Sequence, residues 1–324
     1  MTTNPRVGHQ QEASWSYPER NLWAAARDGL IWLSGPVSER GVSRAFRVSL
    51  NMGGRKVHER RLAMREHPIG RRLLDERPDL CAVLNDMSAL AAMPEGSLGR
   101  AFHTFMDHPE TIPGYMLSGL IYRDDWFDSV PMDEELRWAF ERWIQTHDLM
   151  HVVSGYGADL AGEGLNIYFS GGYNLGISWR ATFWSPFGLA PRLMRPSIGR
   201  RRWLGYLREA WERGNAALLH LPFESVPWED LLPQPLAAAR ATLGLPPLAD
   251  PAMNSAEWTD VSFFTRTFLA SNVDYESVRG VKAAVEAGVP VRDLMRLDAE
   301  ARSRVERLAR EGAGLDVLVN ALPV

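Results

Sequence analysis

Four side chains able to ligate a metal ion fall within the stretch HDLMHVVSGYGADLAGE, from His147 to Glu163. The pattern is His-Asp-x-x-His, then eleven residues, then Glu. An α-helix advances about 100° per residue, so His147, Asp148 and His151 share an arc of roughly 100° on one face. Gly155, Gly157 and Gly162 then let the chain turn and bring Glu163 back toward that face. Two imidazoles and two carboxylates suit a divalent ion of intermediate hardness, Zn²⁺ first, with Fe²⁺, Mn²⁺ or Co²⁺ as alternatives. Two histidines four apart are also common on helices without any ligand. The full pattern with its fixed gap is rarer, and the flanking residues favour a site.

Those flanking residues form the element that must position the four. Leu136, Phe140, Trp143, His147 and His151 are spaced by 4, 3, 4 and 4, the stripe of an amphipathic helix facing a core. The helix is expected to begin near Asp133, after Pro131, and to end at Gly155 or Gly157. A buried, unpaired imidazole or carboxylate is costly, so the stripe argues for a ligand. After Glu163, the segment GLNIYFSGGYNLGISW holds no charge before Arg180. It reads either as a tightly packed core helix or as a groove for an apolar ligand, with Tyr168, Gly172 and Trp179 along it. Seven arginines between Arg192 and Arg213 follow, against Glu209 and Glu212. They suit a solvated face or contact with an anionic membrane surface.

The rest of the chain reads as helices punctuated by Pro and Gly. Helices are expected over Asn21–Leu33, Arg55–His67, Ile69–Glu76, Pro78–Met93 and, capped by Ser97, over LGRAFHTFM. Val42–Leu50 is either helix or a short strand. Short helices are expected at Trp228–Asp230 and Leu236–Leu243, and charged amphipathic ones over Tyr275–Gly288, Val291–Glu311 and Leu315–Leu322. The division is a disordered N-terminus at 1–20, a helical core at 21–249 and an appended helical module at 250–324, an all-α fold throughout. With 324 residues and 45% hydrophobic content, one large core or two modest ones can be buried.

Net charge is −4, so nothing general points to nucleic acid. The single cysteine, Cys81, excludes an internal disulfide and a Cys-based zinc site, and suits a reducing compartment. No secretory or transit segment and no transmembrane run is expected. No Gly-rich dinucleotide or phosphate loop is present, so neither a nucleotide nor a flavin is expected.

These residues resemble the coenzyme Q (ubiquinone) biosynthesis protein 4 family. His147-Asp148-x-x-His151 with Glu163 matches its metal-ligand signature in order and spacing. MPEGSLGRAFHTFM (Met93–Met106), AWERGNAALL (Ala210–Leu219), Trp228-Glu229 and PLAAARATLGL are similar to other family segments, so the resemblance covers roughly 55–247. It implies an all-helical, commonly dimeric protein with His147, Asp148, His151 and Glu163 as ligands. It implies work in ubiquinone synthesis on a prenylated quinone precursor, beside other quinone-biosynthesis enzymes, at a membrane surface. The expected place was the cytoplasmic face of a bacterial inner membrane. The family's usual Arg-x-Arg-Glu-x before the first His is here Arg142-Trp143-Ile144-Gln145-Thr146, so only Arg142 keeps its place. Arg142, Tyr168, Gly172 and Trp179 are the expected substrate-binding residues.

Three mechanisms stay open from the residues. A metal-dependent enzyme, a lyase, would remove a ring carboxylate and hydroxylate that carbon, with Asp148 loosely held as base. A non-catalytic organiser would present a prenyl tail to partner enzymes. A zinc hydrolase is a third, though such sites carry Glu rather than Asp beside the first His.

Overall fold

The spacing of apolar residues between Pro, Gly and capping residues becomes a succession of helices in a computed structural model. It describes residues 16–34, 39–106, 126–157, 160–174, 200–217, 222–248 and 275–322. Among the described residues there is no strand, only an isolated bridge between Ser97 and Pro235. The expected all-α class holds.

Helices α1 (Leu22–Ser34) and α2 (Glu39–Gly53) form a hairpin, so the ambiguous Val42–Leu50 is helical. The chain breaks at Gly54, then continues as α3 (Arg55–Glu66) and α4 (Pro68–Glu76). One buried helix was expected over Pro78–Met93, and two short ones are found, α5 (Leu80–Asn85) and α6 (Met87–Ala92). Asp86 divides them, because its carboxylate accepts the Ala89 N–H at 2.9 Å and its backbone leaves the helical region with ψ 73°. That cap ends one helix and starts the next. Helix α7 (Leu98–Met106) follows, with the Ser97 hydroxyl accepting the Arg100 N–H at 3.1 Å as anticipated.

A short helix without any sequence signal, α8 (Trp126–Ser129), precedes α9 (Glu134–Gln145) and α10 (His147–Ser154). Helices α11 (Leu160–Asn174) and α12 (Arg200–Ala217) make the most extensive helix pair in the fold. A 3-10 turn (Phe223–Ser225), α13 (Trp228–Leu231) and α14 (Leu236–Thr242) return the chain to the bundle. Past the tail's undescribed approach lie α15 (Tyr275–Glu286), α16 (Val291–Arg296), α17 (Ala299–Arg310) and α18 (Leu315–Asn320). The single helix expected over Val291–Glu311 is divided by Asp298, whose carboxylate caps α17 at the Ala301 N–H.

The largest apolar cluster gathers Leu98, Phe102, Leu165, Phe169, Trp203 and Trp228 around Leu149, Met150 and Val153 of α10. The helix carrying His151 therefore runs through the middle of the main core. The tail helices hold a cluster of their own around Val281, Leu294 and Val305. Of the expected disordered terminus, residues 1–15 lie outside the described residues, and within 16–20 Pro18 is buried and two residues contact the bundle. Tyr17 stacks on His58 at 4.5 Å, and the Ser16 carbonyl accepts the Asp133 N–H at 3.3 Å.

Candidate functional site

Three elements converge on the histidines. Helix α9 starts where Asp133 caps the Leu136 N–H at 2.9 Å. The expected continuous helix to Gly155 is interrupted at Thr146, whose hydroxyl donates to the Trp143 carbonyl at 2.7 Å. A hydroxyl competing for a backbone carbonyl bends a helix. The consequence is that His147 and Asp148 open a new helix, where an anionic side chain is favoured by the backbone dipoles. Gly155, at φ 80°, ends α10 in the left-handed region as the sequence implied.

The far end of α10 is fixed by guanidiniums from distant segments. Arg240 donates to the carbonyls of Val153 (2.8 Å) and Val152 (3.0 Å), and Arg213 donates to that of Ser154 at 3.1 Å. Cations at a helix C-terminus satisfy carbonyls that lack intrahelical partners. Burial, then the neighbouring Arg213 charge, holds the Arg240 pKa below its ordinary value. Arg213 also lies over the rings of Tyr156 and Phe169. It is buried, not part of a solvated or lipid-facing arginine patch; Arg208 pairs with Glu212, and Arg202 donates to the Tyr206 hydroxyl. Arg192 and Arg195 lie outside the described residues.

Within α10 the two rings meet edge to face with centroids 4.8 Å apart. His151 is 1% exposed and stacks on Phe105 at 5.5 Å. Its Nδ1 lies 3.1 Å from the Tyr156 carbonyl oxygen. A carbonyl only accepts, so Nδ1 carries the proton and Nε2 keeps the lone pair in the neutral ring. His147, with a side chain 27% exposed, is oriented the same way by Asp148, Nδ1 to Oδ1 at 3.1 Å. Asp148 is 3% exposed, and its second oxygen, Oδ2, is buried without a hydrogen-bond partner.

The described side chains do not display the expected convergence of His147, Asp148 and His151 on one point. Asp148 is turned along the helix to the His147 ring, and no group of three His, Cys, Asp or Glu able to hold a metal forms among the described residues. Glu163 falls on the first turn of α11; its side chain lies outside the described residues. Helix α11 approaches closely at its start, since a Cβ on Gly162 would fall against the Gly157 carbonyl. Three residues after Glu163, Asn166 is fully buried and its amide nitrogen donates to the His147 carbonyl at 3.5 Å. Its Oδ1 is buried with no partner. Sequence reasoning missed Asn166, although a lone amide one helical turn past Glu163 in a charge-free stretch was the available signal.

These donors fit a divalent cation. Two imidazoles are held through their Nδ1 atoms, the orientation in which Nε2 is the ligating atom, and two buried acceptor oxygens, Asp148 Oδ2 and Asn166 Oδ1, have no hydrogen-bond partner. The other expected substrate residues divide. Tyr168 is fully buried, and burial pushes its phenol pKa up. Gly172 lies on α11, and Trp179 lies outside the described residues. Arg142 is spent on structure. It is 1% exposed and donates to the carbonyls of Glu224 (2.9 Å) and Val226 (3.0 Å) and to both Glu229 carboxylate oxygens.

Comparison with known proteins bears on this arrangement. The chain is 28% identical over 185 residues to the mitochondrial ubiquinone biosynthesis protein COQ4 of Lodderomyces elongisporus, covering 56% of this chain and 45% of that protein. It is 28% identical over 162 residues to the Xenopus laevis mitochondrial homologue, 48% of this chain and 53% of that one. With the Bos taurus homologue it is 28% identical over 201 residues, 60% and 69% of the two chains. The chain thus spans about half the length of the first two of these relatives. A crystal structure from Nostoc punctiforme superposes with a TM-score of 0.47 at 18% identity, covering 69% of this chain and 95% of that one. The expected bacterial inner-membrane location is corrected by these matches, because the named relatives are mitochondrial proteins of eukaryotes. The family model for coenzyme Q (ubiquinone) biosynthesis protein Coq4 matches residues 47–249, which takes in all four signature residues. The chain belongs to the Coq4 family of ubiquinone biosynthesis.

Proposed function

We propose that this chain holds a divalent metal ion, zinc first among the candidates, at His147, His151 and Glu163, and acts there on a prenylated hydroxybenzoate precursor of ubiquinone. The reaction removes the C1 carboxylate as CO₂ and leaves a hydroxyl on that carbon. The observation that carries this reading is the pair of buried acceptor oxygens, Asp148 Oδ2 and Asn166 Oδ1, flanking two imidazoles oriented through Nδ1. Buried acceptors without donors are uncommon in folded proteins, and a cation with its bound groups satisfies them.

When bound, the ion supplies a Lewis acid for the carboxylate and phenolic oxygens of the substrate. Tyr156, through its carbonyl, holds the His151 ring in one tautomer. Asp148 Oδ1 does the same for His147, and Oδ2 is the acceptor that takes the proton from the ring hydroxyl. Loss of that proton raises electron density at the para carbon, C1, where the carboxylate leaves. The overall change is a two-electron oxidation. Aromatic acid, O₂ and water give the phenol, CO₂ and H₂O₂, which balances without a bound redox cofactor. The leaves of α10 and α11 around Leu149, Leu165 and Phe169 keep bulk water from the inner side of the site. Partners proposed with this reading are the prenylated precursor and the other enzymes of quinone biosynthesis.

The test uses protein purified without chelator. Elemental analysis should give about one divalent ion per chain, and His147→Ala should lose it. Asp148→Asn should keep the ion yet release ¹⁴CO₂ from carboxyl-labelled substrate at least ~100-fold more slowly, the usual scale for removing a general base. Metal-free wild-type protein, or undiminished CO₂ release by His147→Ala, would overturn the proposal. A metal-loaded protein that releases no CO₂ would overturn its catalytic half in favour of an organiser.

A further inference from the structure

His151 depends on a carbonyl that lies outside its own helix. The Tyr156 carbonyl oxygen, 3.1 Å from His151 Nδ1, belongs to the second residue after α10 ends. Between them stands Gly155 at φ 80°, and a glycine there leaves the chain on either side easy to rotate. The turn's own hydrogen bonds are long. The Ser154 hydroxyl donates to the His151 carbonyl at 3.3 Å and accepts the Tyr156 N–H at 3.3 Å. Such a turn needs a grip from elsewhere to hold one carbonyl in one direction.

Arg213 supplies that grip on both sides of the glycine. Before Gly155, its guanidinium donates to the Ser154 carbonyl at 3.1 Å. After Gly155, the same group lies 5.2 Å from the centre of the Tyr156 ring, which meets Phe169 edge to face at 6.1 Å. Its Nε donates to the Pro246 carbonyl at 3.0 Å, so the planar fork is tied to a third segment. The stem starts from a fixed point, because a Cβ on the next residue, Gly214, would fall against the Phe169 carbonyl. Helix α11 closes the other side of the turn, with Gly162 against the Gly157 carbonyl. Arg213 is 6% exposed, and its hydrogen bonds go to carbonyls rather than to a carboxylate. A buried cation held by neutral groups costs stability, and a neutral side chain of similar length would fill the space without that cost. Arg240 differs. Its side-chain hydrogen bonds go to Val152 and Val153, within the helix, and stop short of Gly155.

We propose that Arg213 is a positioning residue for the histidine site. By bracketing Gly155 it points the Tyr156 carbonyl at His151 Nδ1, which fixes the tautomer whose Nε2 lone pair faces a cation. The orientation belongs to the chain without metal, and only its consequence for binding rests on the metal reading above.

The experiment uses the whole chain with ¹⁵N-labelled histidine, stripped of metal and held at pH ~8.5, where imidazoles of ordinary pKa are neutral. Two-bond ¹H–¹⁵N correlations tell Nδ1–H rings from Nε2–H rings, and His151→Gln identifies the His151 signal. Wild type should show His151 protonated at Nδ1. Arg213→Met should shift it to a mixture with the Nε2–H form, whereas Arg240→Met should leave it as in wild type. Arg213→Lys keeps a buried cation without the planar fork and should shift the ring too, so it carries the test if the Met variant misfolds. In a competition for Zn²⁺ with a colorimetric chelator, the Arg213 variants should bind ~10–100-fold more weakly than wild type, the scale for losing an outer partner of a ligating histidine. A folded Arg213 variant that keeps the wild-type tautomer overturns the proposal even where zinc binds, as does an Arg240→Met variant that shifts it equally. If wild type binds no zinc while the tautomer shifts as expected, the metal reading falls and the positioning role stands.

Discussion

Replacing Arg142 by Met separates a structural role from the substrate-binding one that its sequence position suggested. Met fills much of the volume of the arginine stem, so the loss is mainly polar. The guanidinium makes two bonds to the Glu229 carboxylate, at 2.8 and 2.9 Å, and one each to the Glu224 and Val226 carbonyls. Removing one partner of a buried ion pair costs about 3–5 kcal/mol, but Glu229 keeps some solvent contact, which places this pair at about 2–3 kcal/mol. The Glu224 carbonyl, left without a donor, adds about 1 kcal/mol or more, while that of Val226 keeps the Trp228 N–H at 2.9 Å. The sum is about 3–4 kcal/mol, and at roughly 2–4 °C per kcal/mol the melting temperature should fall by about 6–16 °C. Urea unfolding should show a lower midpoint with an unchanged slope. A melting temperature within ~3 °C of wild type, with substrate binding lost, would refute the clamp and restore Arg142 to the substrate.

Two further outcomes follow from buried polar groups. Burial pushes the Asp133 carboxyl up, but hydrogen bonds from Arg61 and the Leu136 N–H, with the Arg61 charge, outweigh it and hold the pKa below the ordinary carboxylate value. Folding therefore favours the ionised form, and this stabilisation is present above pH ~4 and lost as pH falls through the folded value. Asp133→Asn should lower stability at pH 7 by about 1–2 kcal/mol and flatten the decline between pH 4 and 2 in urea titrations; an unaltered acid limb would count against it. The Tyr168 hydroxyl is buried without a partner, so Tyr168→Phe should leave the melting temperature unchanged or raise it by up to ~4 °C. A clear fall on calorimetry would mean the hydroxyl makes a bond that the fold does not display.

Much of the fold was legible because helices are local. The stripe from Leu136 to His151, the Ser97 and Asp133 caps and the Gly155 stop all depend on residues within a few positions of one another. The errors were local too. Asp86, Thr146 and Asp298 can each ride on a helix or divert a backbone group to the side chain, and only packing decides which. At the candidate site the histidine pair was legible and its surroundings were not. Arg240 reaches Val152 and Val153 across 87 or more residues, and Arg142 reaches Glu229 across 87. Nothing in the spacing of an arginine run tells a buried Arg213, holding the Ser154 carbonyl, from an exposed Arg208 paired one turn along its own helix.

The placement of those arginines also explains how the core tolerates the histidine site. Asp148 and Asn166 each leave one acceptor oxygen buried without a donor, at a cost of about 1–3 kcal/mol apiece. That is a substantial share of the roughly 5–15 kcal/mol by which a domain is stable. Leu or Met at either position would pack among Leu149, Leu165 and Phe169 without such a cost. Two guanidiniums, Arg213 and Arg240, instead hold the last carbonyls of α10, Arg142 of α9 holds those of Glu224 and Val226, and Thr146 bends the chain so that Asp148 lies in the first turn of a new helix. Packing alone does not call for this combination. Buried acceptor oxygens on α10 and α11, beside a helix whose last carbonyls are pinned, suit the cation and substrate proposed above, because such oxygens must already be in place before either arrives.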